Sequence, residues 1–278
     1  IEFFTCNPAL AEDAPTLGQL PENRERGVKP SYLMVKAGCQ AEGVQLHRFF
    51  AWKDVKLREK APFIVQADDC IVSEGRTKGS VSVTENEILL HPETMSDAGS
   101  MSWDLRFKKE LAFNVGYGAS APLRRAEAFE MYWHAEGMKT TYAGQVVFNG
   151  VRYTVTPETS FGYADKNWGR NFTSPWVWLS SNSLKSRLTG ERLKNSAFDV
   201  GGGRPKVYFV PLERKLLGAF YYEGKEYEYN FSKPWTLPRT KFVCKDKGDR
   251  IYWHVRQENR TSVMDTQLVC RSEERRVG

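Results

Sequence analysis

Long hydrophobic runs are missing from this 278-residue chain. No stretch approaches the roughly 20 apolar residues of a membrane-spanning helix. No charged and then apolar leader, the mark of a secreted protein, follows Ile1. The composition is 41% hydrophobic, 27% charged and 13% aromatic, which excludes the disordered, collagen-like and membrane-spanning classes.

Cysteine is scarce and scattered. The five cysteines, Cys6, Cys39, Cys70, Cys244 and Cys270, form no Cys-x-x-Cys pair and no Cys/His cluster. Zinc sites need such clusters, so the sequence predicts no metal site. Because the cysteines are odd in number and far apart, we expect buried free thiols in a reducing cytoplasm.

The glycine motifs of common enzyme classes are also missing. Gly116-Tyr117-Gly118 does not satisfy the dinucleotide fingerprint, and no Gly-x-Ser-x-Gly elbow supports a hydrolase triad. Gly201-Gly202-Gly203-Arg204 lacks the Gly-Lys-Ser/Thr of a phosphate loop. We therefore predict that the protein uses no cofactor, and that the Gly201–Gly203 run is a turn between strands.

The excess of basic residues is small. Lys and Arg number 40 against 34 Asp and Glu, a net charge of +6 that is dispersed along the chain. This charge is too mild to indicate nucleic-acid binding, and it predicts at most a peripheral contact with an anionic membrane. We expect a cytoplasmic protein, and its oligomeric state remains open.

The two ends and one internal break predict how the chain is divided. Residues 1–30 indicate an irregular lead-in. Small residues and a proline at 119–122 separate an N-terminal β lobe (31–121) from a C-terminal β lobe (122–270). The last eight residues, 271–278, resemble the translation of a common sequencing adapter, so we expect an artefact tail and a second lobe that is truncated at its C-terminus.

Alternating hydrophobic residues and turn signals indicate antiparallel β-structure. The strongest hairpin signal is Asn149-Gly150 between the runs 145–148 and 151–155, because Asn-Gly supplies the positive φ of a two-residue turn. Two more hairpins are predicted at 217–231 and 241–255. Further strands are expected at 32–37, 46–52, 63–67, 79–84 and 101–107, and from about Phe129. The predicted fold class is all-β, an antiparallel barrel or sandwich with two barrel-like lobes.

Aromatic and polar side chains concentrate between residues 153 and 182. They are, in order, Tyr163, Asp165, Asn167, Trp168, Trp176 and Trp178. Aromatic rings offer apolar area and a face that stabilises cations, and a carboxyl group can donate or accept a proton. The residues themselves leave two interpretations open: a reactive site, or a tryptophan corner in which Asp165 and Asn167 bond the backbone around a turn at Gly169.

The same segment resembles a known family, the tocopherol cyclase-like proteins of the lipocalin-like (calycin) group. Their signature is Tyr-Ala/Ser-Glu-Lys-Asn-Trp-Gly, followed by Trp-x-Trp and an Asn. The chain matches it at 163–169, 176–178 and Asn182, with Asp165 in place of the signature Glu. Flanking matches at Trp133-His134 and Gly201–Arg204 extend the resemblance over roughly 129–229. The resemblance implies a lipocalin-like fold there.

The resemblance also implies a reaction, the acid-initiated closure of a chromanol ring. An acid protonates an isoprenoid double bond, and the phenol oxygen captures the tertiary cation. The reaction needs a dry apolar cavity, a protonated carboxylic acid and aromatic faces. The implied catalytic residues are Asp165 as the acid, Asn167 and Tyr163; an apolar wall of Trp168, Trp176 and Trp178 would raise the pKa of Asp165. The implied substrate-binding residues are those three tryptophans with Trp133, His134 and Asn182.

Three functions remain open at this stage. The first is the cyclisation of a prenylated aromatic or another isoprenoid. The second is a non-catalytic calycin that binds a hydrophobic small molecule. The third is a hydratase or pericyclase, because the Asp-x-Asn-Trp-Gly core is also similar to those proteins of the same fold. A closed apolar cavity around Asp165 would favour an enzyme, and an acid that only caps a turn would favour a structural role.

Overall fold

The computed structural model describes residues 2–4, 31–39, 42–51, 54–58, 60, 62–113, 125–129, 131–169, 176–213, 215–231, 233 and 237–271. Antiparallel strands dominate these residues, which confirms the all-β prediction. The predicted lead-in beyond Phe4, the divide at 119–122 and residues 272–278 of the predicted tail lie outside the described residues. The predicted domain bounds therefore stay predictions.

The strands, in chain order, are β1 (Glu2–Phe4), β2 (Ser31–Cys39), β3 (Glu42–Phe50), β4 (Val55–Arg58), β5 (Ile64–Ala67), β6 (Cys70–Ser73), β7 (Arg76–Val83), β8 (Gly99–Phe113), β9 (Met131–Phe148), β10 (Val151–Val155), β11 (Phe161–Gly169), β12 (Trp176–Ser181), β13 (Ala197–Gly203), β14 (Lys206–Val207), β15 (Val210–Pro211), β16 (Lys215–Tyr222), β17 (Lys225–Tyr229), β18 (Arg239–Asp246), β19 (Arg250–Glu258) and β20 (Val263–Arg271). A short helix, α1 (Glu85–Leu90), and a 3-10 turn at Pro92–Thr94 lie between β7 and β8.

The strands form open sheets among the described residues. The strand orders are β1-β2-β3, β10-β9-β8-β7-β6-β5-β4 with β11 also on β9, β12-β13-β16-β17, β14-β15 and β18-β19-β20. The chain divides into two compact units, Ile1–Lys108 with Thr141–Phe161, and Lys109–Thr140 with Gly162–Gly278. Strands β8 and β9 supply residues to both units.

The first unit has a core built by period-two alternation along its strands. Met101, Trp103 and Leu105 of β8 are buried and alternate with more exposed residues, and they belong to one cluster with Val35 and Leu46. The Trp103 indole donates to Thr77 Oγ1 at 2.9 Å, which satisfies its N–H inside the core. The alternation that predicted these strands from the sequence is therefore the pattern that buries them.

The predicted hairpins are confirmed. Strands β9 and β10 meet at Asn149 and Gly150, whose φ angles of 47° and 81° are the two positive values of a primed two-residue turn. Strands β16 and β17 pair around Glu223-Gly224, and β18 and β19 pair over their full lengths. Each expected strand of the first half coincides with an observed one to within a few residues.

The second unit is a sandwich around the sheet β12-β13-β16-β17. On one face, Val200, Leu216 and Tyr229 pack with Val255 and Met264 of strands β19 and β20. On the opposite face, Ala197 and Ala219 pack with Phe113, Ala135 and Met138 of strands β8 and β9. Both faces of this sheet are therefore covered by other strands, and the candidate site lies on the second face.

The prediction of a turn at Gly201–Gly203 is wrong. The Gly201–Gly203 run is not a turn but the end of β13. A Cβ on Gly201 would lie 2.8 Å from a Trp133 ring carbon, and one on Gly202, at φ 149°, would lie 2.2 Å from the Lys215 carbonyl oxygen. These glycines therefore allow close packing within a strand.

Helix α1 was not predicted. No helix in the described part of the chain is long and apolar enough to cross a membrane.

Candidate active site

The signature residues lie on strand β11 and not at a turn. Because side chains alternate along a strand, Tyr163, Asp165 and Asn167 share one face and Lys166 lies on the other. The first face bonds to Trp133, and Lys166 contacts Glu136. This placement excludes the tryptophan-corner interpretation, because Asp165 lies inside a regular strand and bonds to other side chains.

Asp165 is an exposed carboxylate with two side-chain donors. Its Oδ2 accepts from Trp133 Nε1 at 2.9 Å and from Asn167 Nδ2 at 3.3 Å. Residue 165 is exposed, so the described residues do not enclose it in an apolar cavity. The structure thus brings three predicted site residues together, but it does not place Asp165 in the dry surroundings that the sequence implied.

A second carboxylate, Asp199 of β13, is fully buried beside the first. Tyr163 Oη donates to Asp199 Oδ2 at 2.6 Å, and Trp178 Nε1 donates to Asp199 Oδ1 at 2.9 Å. We call Tyr163, Asp165, Asp199, Trp133 and Trp178 the Tyr163 cluster. All five belong to the second unit.

Burial controls the ionisation of this cluster. It raises the pKa of Asp199 to about 7; the hydrogen bonds from Tyr163 and Trp178 oppose that rise, and the negative charge of Asp165 adds to it. Burial, followed by the charges of Asp199 and Asp165, raises the pKa of Tyr163 well above its ordinary value. Asp199 is therefore a carboxyl group that exchanges its proton near neutral pH, and Tyr163 stays a neutral phenol.

Aromatic rings surround these acids. The centroids of Tyr163 and Trp178 lie 5.1 Å apart in a tilted pair, and Phe113 meets Trp133 edge to face at 6.1 Å. Trp178 remains 46% exposed although its indole N–H bonds to a buried acid. The exposed ring therefore offers a face to a ligand while its nitrogen is fixed from behind.

Of the other two predicted tryptophans, the structure describes the side chain of Trp176 but not that of Trp168. Trp176 begins β12 and is 61% exposed, two residues before Trp178 on the same face of the strand. Its register partner is Gly203, as Gly201 is that of Trp178. Trp168 lies in β11, but its side chain is outside what the structure describes.

His134 lies away from the Tyr163 cluster. It follows Trp133 on β9 and points to the opposite face, where its Nδ1 is 3.9 Å from Glu136 Oε1. Glu136 forms ion pairs with Lys109 and, at 2.8 Å, with Lys166. Burial alone would raise the pKa of Glu136, but the two lysines outweigh it and lower that pKa. This second polar group is an ion-pair network of one glutamate and two lysines that includes the Lys of the signature.

Asn182 uses its amide to join two strands. Its Nδ2 donates to Met138 O at 3.0 Å and to Gly162 O at 2.7 Å, which links β9 to the start of β11. The signature Asn therefore orients the strand that presents Tyr163 and Asp165.

Asp199 is the functional candidate that was missed from the sequence. It is an acid within the otherwise apolar and glycine-rich strand Ala197–Gly203, and that contrast was the available signal. Among the described residues, no three His, Cys, Asp or Glu side chains lie close enough to hold a metal ion. Of the cysteines that the structure describes, Cys70 is a buried thiol, as expected, but Cys244 is exposed and Cys270 is partly exposed, so the expectation of burial is wrong for these two.

Two surface concavities lie away from the Tyr163 cluster. One, of about 520 Å³, is lined in the first unit by residues such as Arg48, Phe50 and Gln66. The other, of about 320 Å³, lies on the sheet β18-β19-β20 beside Tyr252 and Trp253. Neither of these two is lined by a described residue of the Tyr163 cluster.

Comparison with known proteins gives one match. The family model described as tocopherol cyclase-like matches residues 80–275, more than two thirds of the chain. No curated protein and no solved structure matches. The matched range contains every residue of the Tyr163 cluster.

Proposed function

The chain belongs to the tocopherol cyclase-like family, and on that premise we propose that it cyclises a prenylated aromatic or another isoprenoid by acid-initiated isomerisation. The observation that carries the proposal is the Tyr163 cluster, where two carboxylates flank one phenol beside exposed indole rings. Protonation of the double bond forms a tertiary cation, and the substrate phenol captures it. Substrate and product have the same atoms and the same oxidation state, so the reaction needs no cofactor.

Three features of the described residues support this proposal. Asp165 is the exposed acid of the cluster and can exchange a proton with a ligand, whereas the partly buried Tyr163 donates to Asp199. The exposed rings of Trp178 and Trp176, two residues apart on β12, support the proposal because an aromatic face can stabilise a cation. Asn167 Nδ2 donates to Asp165 Oδ2 at 3.3 Å, which restrains the carboxylate. The partner expected here is a hydrophobic small molecule.

The test is a mass-resolved assay of the protein with prenylated quinols and related isoprenoids. We expect a product of unchanged mass and altered retention. Asp165→Asn should lower turnover by about 10²-fold or more, because a proton-transfer group is lost, while ligand binding persists. Asp265→Asn changes an exposed acid of β20 that lies outside the cluster, and it should leave turnover unchanged. Wild-type turnover in Asp165→Asn would refute the role of Asp165.

A hydratase is the alternative that one observation favours. Asp165 is exposed, so water can reach a cation formed beside it and compete with the substrate phenol. The same assay separates the possibilities, since hydration gives a product heavier by one water. Ligand that is retained but chemically unchanged would indicate a binding protein with the fold of the family.

A further inference from the structure

We propose that the hairpin formed by β14 and β15 docks the protein on an anionic lipid bilayer. We call residues 204–215 the docking hairpin. Its turn inserts aromatic side chains among the lipids, and the basic residues near its base face the headgroups. The inference goes beyond the proposed function, because docking on a membrane does not require that the protein be an enzyme.

The turn of the docking hairpin exposes an unbroken run of apolar side chains. Val207 pairs with Val210, so Tyr208 and Phe209 are the two turn residues. Phe209 is 87% exposed, and Tyr208, Val210 and Pro211 are exposed as well. Single exposed hydrophobic residues are common on protein surfaces, but four in succession form a patch of the kind that binds a partner or a membrane.

The backbone of this turn is strained at an aromatic residue. Tyr208 has a φ of 54°, a conformation that two-residue turns usually give to Gly or Asn. A bulky side chain in this conformation costs free energy, and the half-exposed ring of Tyr208 recovers only part of that cost by packing within the chain. Insertion into a bilayer would bury the rest of the ring.

Backbone hydrogen bonds hold the docking hairpin in place. Tyr208 N donates to Ala128 O at 2.6 Å, and Leu212 N donates to Pro205 O at 2.8 Å. The apolar turn is therefore presented by a fixed backbone. Because the loop is already ordered, docking does not have to supply the free energy of ordering it.

The charge of the docking hairpin favours an anionic partner. Its sequence contains four basic residues and one acid, Glu213, which gives a net charge of +3. Arg204 and Lys215 lie at its two ends, and the side chain of Arg204 is exposed. The segment that bonds to the turn adds Arg125 and Glu127, whose charges cancel. Each basic residue near an anionic bilayer strengthens binding about fivefold.

Another exposed apolar patch lacks this charge. Leu89 and Leu90 of helix α1 are also exposed, but Glu85 and Glu87 of the same helix and Glu93 just after it are acidic. An anionic bilayer repels such a segment, whereas it attracts the docking hairpin. The combination of exposed aromatic residues and positive charge therefore selects the hairpin.

The docking hairpin lies at the end of the sheet that carries the exposed indoles. It connects β13 to β16, whose ends pair at Gly203 and Lys215, and Gly203 also pairs with Trp176. A hydrophobic ligand dissolved in the bilayer would therefore enter at the same end of the sheet as Trp176. This consequence rests on the proposed function, whereas the docking itself does not.

The first arm of the test measures binding to vesicles. The full chain should co-sediment with vesicles of equal parts phosphatidylcholine and phosphatidylglycerol, and less so with pure phosphatidylcholine or at high salt. Phe209→Ser should lower the partition coefficient about tenfold or more, because it removes the most exposed apolar side chain of the turn. Arg204→Ser should lower it about fivefold, and only on the anionic vesicles.

Leu188→Ser is the matched control. Leu188 is 98% exposed and lies among basic residues in the connection between β12 and β13, at the opposite end of the same sheet. This variant should bind anionic vesicles like the wild type, and near-ultraviolet circular dichroism would establish that each variant is folded. An equal loss of binding in Leu188→Ser and Phe209→Ser would overturn the proposal, because binding would not be specific to the docking hairpin.

Hydrogen exchange of the wild type locates the contact without a substitution. Anionic vesicles should slow amide exchange in peptides that cover residues 204–215 and not in those that cover 183–195. Protection confined to another part of the chain, or no co-sedimentation with anionic vesicles, overturns the proposal. Self-association without lipid that Phe209→Ser abolishes also overturns it, since the turn would then be a contact between two copies of the chain.

A final comparison separates docking from the proposed function. Phe209→Ser should slow the turnover of a prenylated quinol supplied in anionic vesicles, and it should match the wild type when the same substrate is supplied in detergent micelles. Equal turnover from vesicles would overturn the entry of the ligand beside Trp176. A wild-type protein that forms no cyclised product in either medium would overturn the proposed function alone, and the vesicle results would still decide the docking.

Discussion

Gly201 is the residue at which the backbone of β13 lies directly against the Trp133 indole. A Cβ there would lie 2.8 Å from a ring carbon, closer than van der Waals contact allows. We expect Gly201→Ala to displace the ring from its 2.9 Å bond to Asp165 and to lower the free energy of unfolding by about 1–3 kcal/mol.

Urea denaturation followed by tryptophan fluorescence would measure this effect. Gly75→Ala is the matched control, because a Cβ at Gly75 would make only an ordinary 3.4 Å contact with the Phe107 carbonyl oxygen. If Gly201→Ala is as stable as Gly75→Ala, the glycine is not required by the indole.

The two acids show what the sequence can predict of a site at the scale of one residue. Asp165 was found because it lies in a local motif that can be read along the chain. Asp199 lies 34 positions later, and its burial depends on strands β11, β12 and β16 packing around β13. Burial of this kind is a property of the tertiary structure, so the sequence alone could show only that an acid interrupts an apolar strand.

The hairpin between β9 and β10 is the element whose turn chemistry can be tested most directly. A Cβ on Gly150 would meet no atom within 4 Å, but its φ is 81°. Gly150→Ala should therefore lower the free energy of unfolding by about 1–2 kcal/mol through backbone strain alone. Chemical denaturation of Gly150→Ala and of the Gly75→Ala control measures this loss of stability. Equal stability of the two variants would contradict the prediction of backbone strain at Gly150.

Elements with strict alternation were predictable, and elements that depend on distant contacts were not. The strand around Met101 follows from its pattern, since period-two burial is local. Helix α1 carries a local signal that was overlooked, the capping box of Thr84 and Glu87. The Gly201–Gly203 run of β13 resembles a turn in the sequence. Its glycines are needed for close contacts with Trp133 and Lys215 of other strands, and the local sequence does not show those contacts.

At the scale of the whole molecule, the two units differ in the polar side chains that they bury. In the described chain, the first unit buries His47 and Thr77, and the second buries Thr140, Ser196, Asp199, Asn230 and Gln257. Asp199 is the acid of the latter set. Because burying a charge costs free energy, the buried carboxyl group of Asp199 carries a cost that the hydrogen bonds from Tyr163 and Trp178 partly offset.

That cost makes the stability of the protein depend on pH. The pKa of Asp199 rises from an ordinary 3.8 to about 7 on folding, so between pH 4 and pH 7 the folded state binds a proton that the unfolded state releases. The group therefore favours folding at low pH, and this contribution is lost as the pH rises to about 7. Three pKa units correspond to about 4 kcal/mol.

Asp199→Asn removes this titration. The free energy of unfolding of the wild type, minus that of Asp199→Asn, should fall by a few kcal/mol from pH 4 to pH 8 in urea denaturation. Ser180→Ala, at the register partner of Asp199, changes no titratable group, so its difference from the wild type should stay constant with pH. A constant difference for Asp199→Asn as well would mean that the carboxyl group is ionised in the folded protein throughout this range, which would contradict the effect of its burial.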